Sequence, residues 1–265
     1  MEDFKKFFEA NKKLWDARVQ PHLGSKMYDM ESFMKGRSSL TEIETTTLGD
    51  ISGKDILHLQ CHFGQDSLSF SRNGAHKVVG VDISEKAIAT AKSLAIELGL
   101  NTQFICSNVY DVGKIGEFDI VFSTYGAIPW LPDLDKWAGI ISANLKPGGI
   151  FYFCEFHPTL YLLDFDTKKI AYDYFTTDEP ITEISEGTYA DSAADIKMTE
   201  YSWNHAASEI IAPLLKQGLE LTKFQEYDWS PYDCFPNMLN VAEGKYRIDI
   251  DIRFPHLLEM VFQKP

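Results

Sequence analysis

The sequence predicts an α/β fold on a doubly wound, mostly parallel seven-stranded sheet, and three observations predict it. Between residues 54 and 156, short β-rich runs alternate with helical runs, the pattern of crossover units that lay strands side by side in parallel. Caps and stops for those helices fall where the pattern needs them, at Gly74, Ser84 and Gly99. A further helical run and two more strand-like runs after residue 204 bring the sheet to seven strands.

Taken in order, residues 56–60 make the first strand. Residues 64–73 fit a helix that Gly74 stops, and 77–81 make the second strand. Ser84 caps a helix whose apolar Ile88, Ala91, Ala95 and Leu98 recur every three or four residues until Gly99. Residues 102–106 and 119–123 are the third and fourth strands. A helix at 134–145 follows, and Lys146-Pro147-Gly148-Gly149 turns the chain into a fifth strand at 150–156. The alternation then lapses. Residues 161–201, rich in Thr, Tyr and Asp, read as a small β-rich cap insertion. Helical periodicity returns at 204–217 through Ala207, Ile210, Ile211, Leu214 and Leu215, and a strand follows at 219–227. A second aromatic insertion at 229–254 precedes the last strand, 257–262. The expected organisation is a single domain over 1–265. It has an N-terminal helical arm or lid at 1–50, a ligand-binding core at 54–156, the cap insertion at 160–203, and the C-terminal helix and strands at 204–265.

With 265 residues, 45% of them hydrophobic, the chain can bury one sizeable core. Its 39 acidic against 25 basic residues leave a net charge of -14, which repels a phosphate backbone and argues against a nucleic-acid partner. No apolar run reaches the roughly 20 residues that span a bilayer, and residues 1–10 mix charges with Phe rather than forming an export signal. The expectation is a cytoplasmic chain with no membrane partner; its oligomeric state stays open. Cys61, Cys106, Cys154 and Cys234 lack CxxC spacing, and three of them lie in or beside strands, where free Cys acts as a small core residue. The seven histidines do not cluster at ligand spacing, so no metal is expected.

In doubly wound sheets ligands settle beyond the carboxyl ends of the strands, where the strand order reverses. After the first strand comes Gln60-Cys61-His62-Phe63-Gly64-Gln65-Asp66, in which Gly64 permits a tight turn and close backbone approach. After the second comes Asp82, 18 residues beyond Gly64, the separation at which an acid meets ribose hydroxyls in nucleotide-binding folds. Ser107-Asn108-Val109 follows the third strand and offers an amide to an adenine edge; Ser123-Thr124-Tyr125-Gly126 follows the fourth and closes over the site. Structural roles compete with these: Asp82 suits a helix cap, Gly64 a plain turn, and Asn108 local hydrogen bonding. His58, inside a buried strand, reads as a satisfied core histidine.

Four motifs occur together: Ile56-Leu57-His58-Leu59-Gln60-Cys61-His62-Phe63-Gly64, Gly80-Val81-Asp82-Ile83-Ser84, Phe118-Asp119-Ile120-Val121-Phe122 and Leu145-Lys146-Pro147-Gly148-Gly149. In this order they resemble the class I S-adenosylmethionine-dependent methyltransferase family, over residues 54–156 with continuation through the last two strands. The LHLQCHFG opening at 57–64 and Glu155-Phe156-His157-Pro158 further resemble a bacterial subgroup of mostly unassigned substrate. Gln60 and His62 depart from the family's first motif, which carries an acidic residue and more glycines, and Asn108 stands where the family has an acid. The resemblance implies a Rossmann-like methyltransferase fold and an enzyme using S-adenosyl-L-methionine, with S-adenosyl-L-homocysteine as product. Its cofactor residues would be Tyr28, Gln60, Cys61, His62, Gly64, Asp82, Ile83, Asn108, Val109, Ser123, Thr124 and Tyr125.

Methyl transfer from a sulfonium is a direct displacement that needs in-line positioning and exclusion of water, with a base only if the acceptor must lose a proton. Glu155 and His157 at the end of the fifth strand, with Tyr201 and His205 at the end of the cap, are expected to flank the acceptor, His157 as base. The aromatic arm with Trp15, His22, Tyr28 and Phe33 has two readings of equal standing, a lid over the cofactor or plain packing against the core. Aromatic insertions narrow the entrance and favour a small-molecule acceptor, and Ser123-Thr124-Tyr125-Gly126 lacks the paired prolines of exocyclic-amine methyltransferases. Two rival readings stand beside this one. An NAD(P)-dependent oxidoreductase wants a GxGxxG loop, of which only Gly64 is present; a non-catalytic, nucleoside-binding protein of the same fold is the other.

Overall fold

The computed structural model describes residues 4–236 and 238–265; residues 1–3 of the expected arm and residue 237 of the second insertion lie outside them. The arm is helical, with α1 (Lys5–Gly24), α2 (Met30–Met34) and α3 (Glu42–Leu48). The core then runs β1 (Asp55–Leu59), α4 (Gln65–Arg72), β2 (Lys77–Asp82), α5 (Glu85–Glu97), β3 (Thr102–Cys106), β4 (Phe118–Thr124), α6 (Leu134–Asn144) and β5 (Leu145–Phe156). The cap holds β6 (Leu163–Asp164) paired with β7 (Lys169–Ile170), and β8 (Ile181–Glu186) paired with β9 (Lys197–Ser202). After α7 (Ala207–Lys216) and β10 (Glu220–Tyr227), the second insertion forms the hairpin β11 (Met238–Ala242) and β12 (Lys245–Ile248) before β13 (Leu257–Gln263).

Seven strands form one sheet in the order β10-β13-β5-β4-β1-β2-β3. Neighbours from β5 through β3 pair in parallel, and β13 runs antiparallel to both β5 and β10. The strand order reverses between β1 and β4, so the carboxyl ends of those two strands open onto the crevice where ligands bind in such sheets.

Alternation along the strands divides the core. Leu57, Leu59, Val121, Phe151 and Phe153 face α6 and α7 through Trp137, Ile210 and Leu214. Ile56, Val78, Ile120, Phe122 and Tyr152 face the other way, onto Phe70 of α4 and Ile43 of α3. A third cluster joins Phe104 and Cys61 to Ala87, Ile88 and Ala91 of α5, and to Val19 and Phe33 of the arm.

Two details differ from the sequence reading. The Lys146-Pro147-Gly148-Gly149 turn is an excursion within β5: Leu145 already pairs with Phe118 and Ile150 resumes opposite Ile120. A Cβ on Gly149 would lie 3.0 Å from the Phe118 and Lys146 carbonyl oxygens, so a side chain here would push these backbones apart by a few tenths of an ångström. Cys61 and Cys154 are buried as expected, but Cys106 is exposed, because β3 is an edge strand with no neighbour on its outer side.

In α1 the buried residues Phe7, Asn11, Leu14, Arg18 and His22 recur every three or four positions, so three polar side chains lie in the inward stripe. Two of them fasten the cap. Asn11 exchanges both amide bonds with the Tyr201 backbone, donating to its carbonyl at 2.7 Å and accepting from its N–H at 3.0 Å. Arg18 donates to the Glu200 carboxylate at 2.7 Å and the Ser185 hydroxyl at 2.8 Å. The arm and the β8–β9 hairpin therefore form one cover.

Candidate active site

A cavity of about 500 Å³ opens at the carboxyl ends of β1, β2, β3 and β4, beneath this cover. Its floor is set by the loop after β1. Gln60 and His62 sit at φ 58° and 50°, left-handed values unusual for side-chain-bearing residues. Gly64 follows at φ 82° and starts α4. A Cβ there would lie 2.6 Å from the Phe104 ring, so Gly64 serves both the turn and the packing. Gly64→Ala is expected to cost about 2–4 kcal/mol, from left-handed strain and overpacking; urea unfolding measures it, and a loss below about 0.5 kcal/mol would mean that the Phe104 ring yields freely.

At the end of β2, Asp82 accepts from the His62 N–H and the Ser84 N–H, each at 2.8 Å and each on a different carboxylate oxygen. An ionised carboxylate has about four acceptor positions, so two remain for a ligand. Burial, with Asp16 adding like charge, pushes the Asp82 carboxyl up to about 6 against those two donors. Ser84 caps α5, and its hydroxyl donates to Asp16 of α1 at 2.6 Å. After β3, Asn108 accepts from the Tyr110 N–H at 3.1 Å, so its side chain is partly spent on the turn.

Of the twelve residues expected to bind cofactor, eleven line this cavity: Tyr28, Gln60, Cys61, His62, Gly64, Asp82, Ile83, Asn108, Val109, Thr124 and Tyr125. Ser123 does not. It is fully buried and its hydroxyl has no hydrogen-bond partner; successive side chains of a strand point to opposite faces, and it is Thr124 that reaches the cavity. Tyr28 reaches the site from the arm, its hydroxyl 2.5 Å from that of Tyr189 and its carbonyl held by Gln65 at 2.9 Å.

None of the four residues expected around the acceptor lines the cavity. The Glu155 carboxylate is buried and accepts four backbone N–H groups, from Gly126, Ala127 at 2.7 Å, Ile128 at 3.0 Å and Phe156 at 2.7 Å. Burial still pushes its carboxyl above the ordinary range. Glu155 thus builds the loop after β4. His157 has both nitrogens engaged, by Thr159 at 2.9 Å and Glu226 at 2.9 Å, and burial lowers its pKa. His205 is likewise held between Thr176 and Leu131 at 2.8 Å each. Tyr201 packs on Phe7, ring centroids 4.6 Å apart, while Asn11 holds its backbone. The reason lies in their partners: the Glu155 carboxylate is taken up by the backbone of residues 126–128, and the His157 ring is held between Thr159 and Glu226. His58 is the core histidine expected, 2.9 Å from the Ser67 hydroxyl, although its ring edge borders the cavity.

Arg18 escaped the sequence reading, which named Asp66 only as part of the first loop and Tyr232 and Phe235 only as part of the second insertion. Arg18 lies buried beside Trp15 and Trp130, its guanidinium carbon 5.0 Å and 5.7 Å from the two ring centroids. Nothing in the alternation of charges along α1 marks it as inward. Asp66, Tyr232 and Phe235 also line the cavity. Glu44 reaches the Tyr125 hydroxyl from α3; its capping-box pattern with Thr41 was visible in sequence, its second contact was not.

The cavity wall calls for a polar ligand on an observation independent of motif. Arg18 Nε, Gln60 Oε1 and His62 Nδ1 are buried without a hydrogen-bond partner, and all three residues line the cavity. Buried polar atoms of this kind call for a partner. Among the described residues, no group of three or more His, Cys, Asp and Glu is placed to hold a metal ion, and no helix is long and apolar enough to cross a membrane.

Residues 56–149 match the family model described as a methyltransferase domain. Over 215 residues the chain is 23% identical to the ubiquinone biosynthesis O-methyltransferase of Bordetella bronchiseptica, covering 79% of this chain and 81% of that one. It is 32% identical to the ribosomal protein L11 methyltransferase of Aliivibrio salmonicida over 100 residues, 38% of this chain and 33% of that one. Among solved structures it is similar to an S-adenosylmethionine-dependent methyltransferase from Mesorhizobium loti, with TM-score 0.57, 17% identity, and coverage of 87% and 100%. It is also similar to DhpI in complex with SAH, with TM-score 0.57, 16% identity, and coverage of 98% of each chain. Sheet, strand-end cavity and matched segment define the class: the chain carries a methyltransferase domain. Its fold is that of the S-adenosylmethionine-dependent methyltransferases among those solved structures.

Proposed function

We propose that the chain is an S-adenosylmethionine-dependent methyltransferase that transfers the sulfonium methyl group to a small-molecule acceptor held between the strand ends and the two insertions. One observation carries the reading: a single cavity of about 500 Å³ joins the ribose-side group of Asp82, Ile83 and Asn108 to an aromatic wall from the insertions, with Tyr161, Phe165, Tyr232 and Phe235. S-Adenosylmethionine supplies a sulfonium methyl that a nucleophile takes directly. The chain's work is then placement and exclusion of water. Asp82 would hold the ribose hydroxyls, Asn108 and Val109 the adenine edge, and the Gln60–Gly64 loop the amino-acid end. α1 and the β8–β9 hairpin close the site from above through Arg18–Glu200 and Asn11–Tyr201.

The net charge of -14 disfavours a nucleic-acid acceptor. A dinucleotide is disfavoured by the loop itself, since Gln60 and His62 put side chains where a pyrophosphate needs bare backbone N–H groups. Titration calorimetry with S-adenosylmethionine, S-adenosylhomocysteine, NAD and NADP tests this. Micromolar binding of the first two supports the reading; preference for a dinucleotide overturns it.

The pH dependence follows from Asp82. Ribose hydroxyls donate to the ionised carboxylate, so affinity for S-adenosylhomocysteine is expected to be level above about 6, where Asp82 is ionised, and to fall as pH drops through that value. Below it the fall approaches about tenfold per pH unit. Calorimetry from pH 8 to 5 reads it, and a flat profile would show that the ionised carboxylate is not what the ligand meets.

A further inference from the structure

We propose that Asp66 and the aromatic side chains around it form an acceptor subsite for an organic amine, the carboxylate pairing with its ammonium group and taking its proton. The proposal rests on the methyltransferase reading above and names the acceptor class for the same cavity.

Charge accounting within the cavity leads to Asp66. Of the five other charged lining residues, Arg18 and Glu200 pair with each other at 2.7 Å, Arg37 lies 3.6 Å from Asp29, Glu183 is exposed and accepts from the Tyr172 hydroxyl, and Asp82 takes two backbone N–H groups, its remaining positions being those assigned above to the ribose. Asp66, in the first turn of α4, accepts from the Ser39 hydroxyl at 2.5 Å, and no ion pair is formed to it among the described residues. Each lining guanidinium thus already stands beside a carboxylate, whereas the Asp66 carboxylate has no cation in ion-pair contact and can take one from a ligand.

The rest of the wall suits a cation as well. Tyr28, Tyr125, Phe156, Tyr161 and Tyr232 line the same cavity, Tyr125 and Tyr232 meeting edge to face with centroids 5.0 Å apart. Aromatic faces attract an ammonium through their quadrupoles. Burial raises the Tyr28 and Tyr232 phenols, and the charge on Asp66 adds to it.

A bound ammonium must lose a proton before its nitrogen can attack. The N–H proton passes to the Asp66 carboxylate and the nitrogen recovers its lone pair. A nitrogen–carbon bond then forms as the carbon–sulfur bond breaks, the pair of that bond remaining on sulfur. The methylated amine leaves as a cation and Asp66 releases its proton to water. Burial and the neighbouring charge of Glu44 push the Asp66 carboxyl up to about 6, against the Ser39 hydroxyl and Arg37, so it can hold a proton transiently near neutral pH.

The test uses three ligands of like size, benzylamine, benzyl alcohol and benzoate, titrated calorimetrically into the full chain with and without saturating S-adenosylhomocysteine. Benzylamine is expected to bind at least about tenfold more tightly than either of the others, and Asp66→Asn to abolish that order while sparing affinity for S-adenosylhomocysteine. Equal binding of the three in the unaltered chain, or preference for the alcohol or the acid, overturns the proposal without recourse to the variant. If Asp66→Asn instead weakens S-adenosylhomocysteine and leaves the amine preference intact, the carboxylate belongs to the cofactor and the proposal fails. Absence of any S-adenosylhomocysteine binding sinks the methyltransferase reading separately, since the amine order is read without it.

Discussion

Asp82→Ala is expected to weaken binding of S-adenosylhomocysteine at least about 100-fold, measured by calorimetry at about pH 7.5. The estimate follows from two ribose hydroxyls that would donate to a charged acceptor, each such bond being worth about 1.5–3 kcal/mol, against about 1.4 kcal/mol per tenfold in affinity. The same change strips the acceptor from the His62 and Ser84 N–H groups, so the loop that places Gln60 and His62 loses its tie to β2. A modest fall in thermal midpoint is expected alongside. Asp82→Asn separates the two effects, because its amide oxygen keeps one backbone bond; if it binds as tightly as the unaltered chain, the ionised carboxylate is not the ribose partner.

Glu155→Ala is expected to lower the thermal midpoint by about 10 °C, the second large effect. Its two oxygens accept four N–H groups from residues 126, 127, 128 and 156. Each buried donor left without a partner costs about 1–3 kcal/mol, partial rescue by water brings the sum to about 4 kcal/mol, and a chain of this size loses about 2–4 °C per kcal/mol. Glu155→Gln should be nearly as damaging, since its NH₂ would face donors rather than accept from them. Thermal scans of the two variants decide between scaffold and catalysis: an unshifted midpoint with lost turnover would return Glu155 to the acceptor side.

These two residues mark the boundary of what was legible in sequence. The position of Asp82 on the cavity was readable because the relation between a strand end, a glycine turn and an acid is local, spanning 18 residues of one βαβ unit. The same locality made five strands and the caps at Ser84 and Gly99 readable. Glu155 ended a strand too, but its use depends on a loop 27 to 29 residues earlier folding back over it, and no periodicity records that. The cover was harder still. Arg18 and Glu200, or Asn11 and Tyr201, are separated by 182 and 190 residues, and in sequence each is an ordinary polar residue on an amphipathic helix or a hairpin. Ser123 and Thr124 were indistinguishable until the pleat of β4 assigned one to each face.

The place of β13 bears on how the chain is made. This last strand is not at a border of the sheet; it fills the slot between β5 and β10, pairing with both along its length. While residues 257–263 are still within the ribosome, β5 has a bare flank of unpaired backbone groups, a template for pairing with other chains. Nascent chains of this protein therefore have to complete the sheet after synthesis has passed residue 263. Products that stop short of residue 257 are expected to be captured by chaperones or to aggregate, even though every strand that borders the cavity has already been translated.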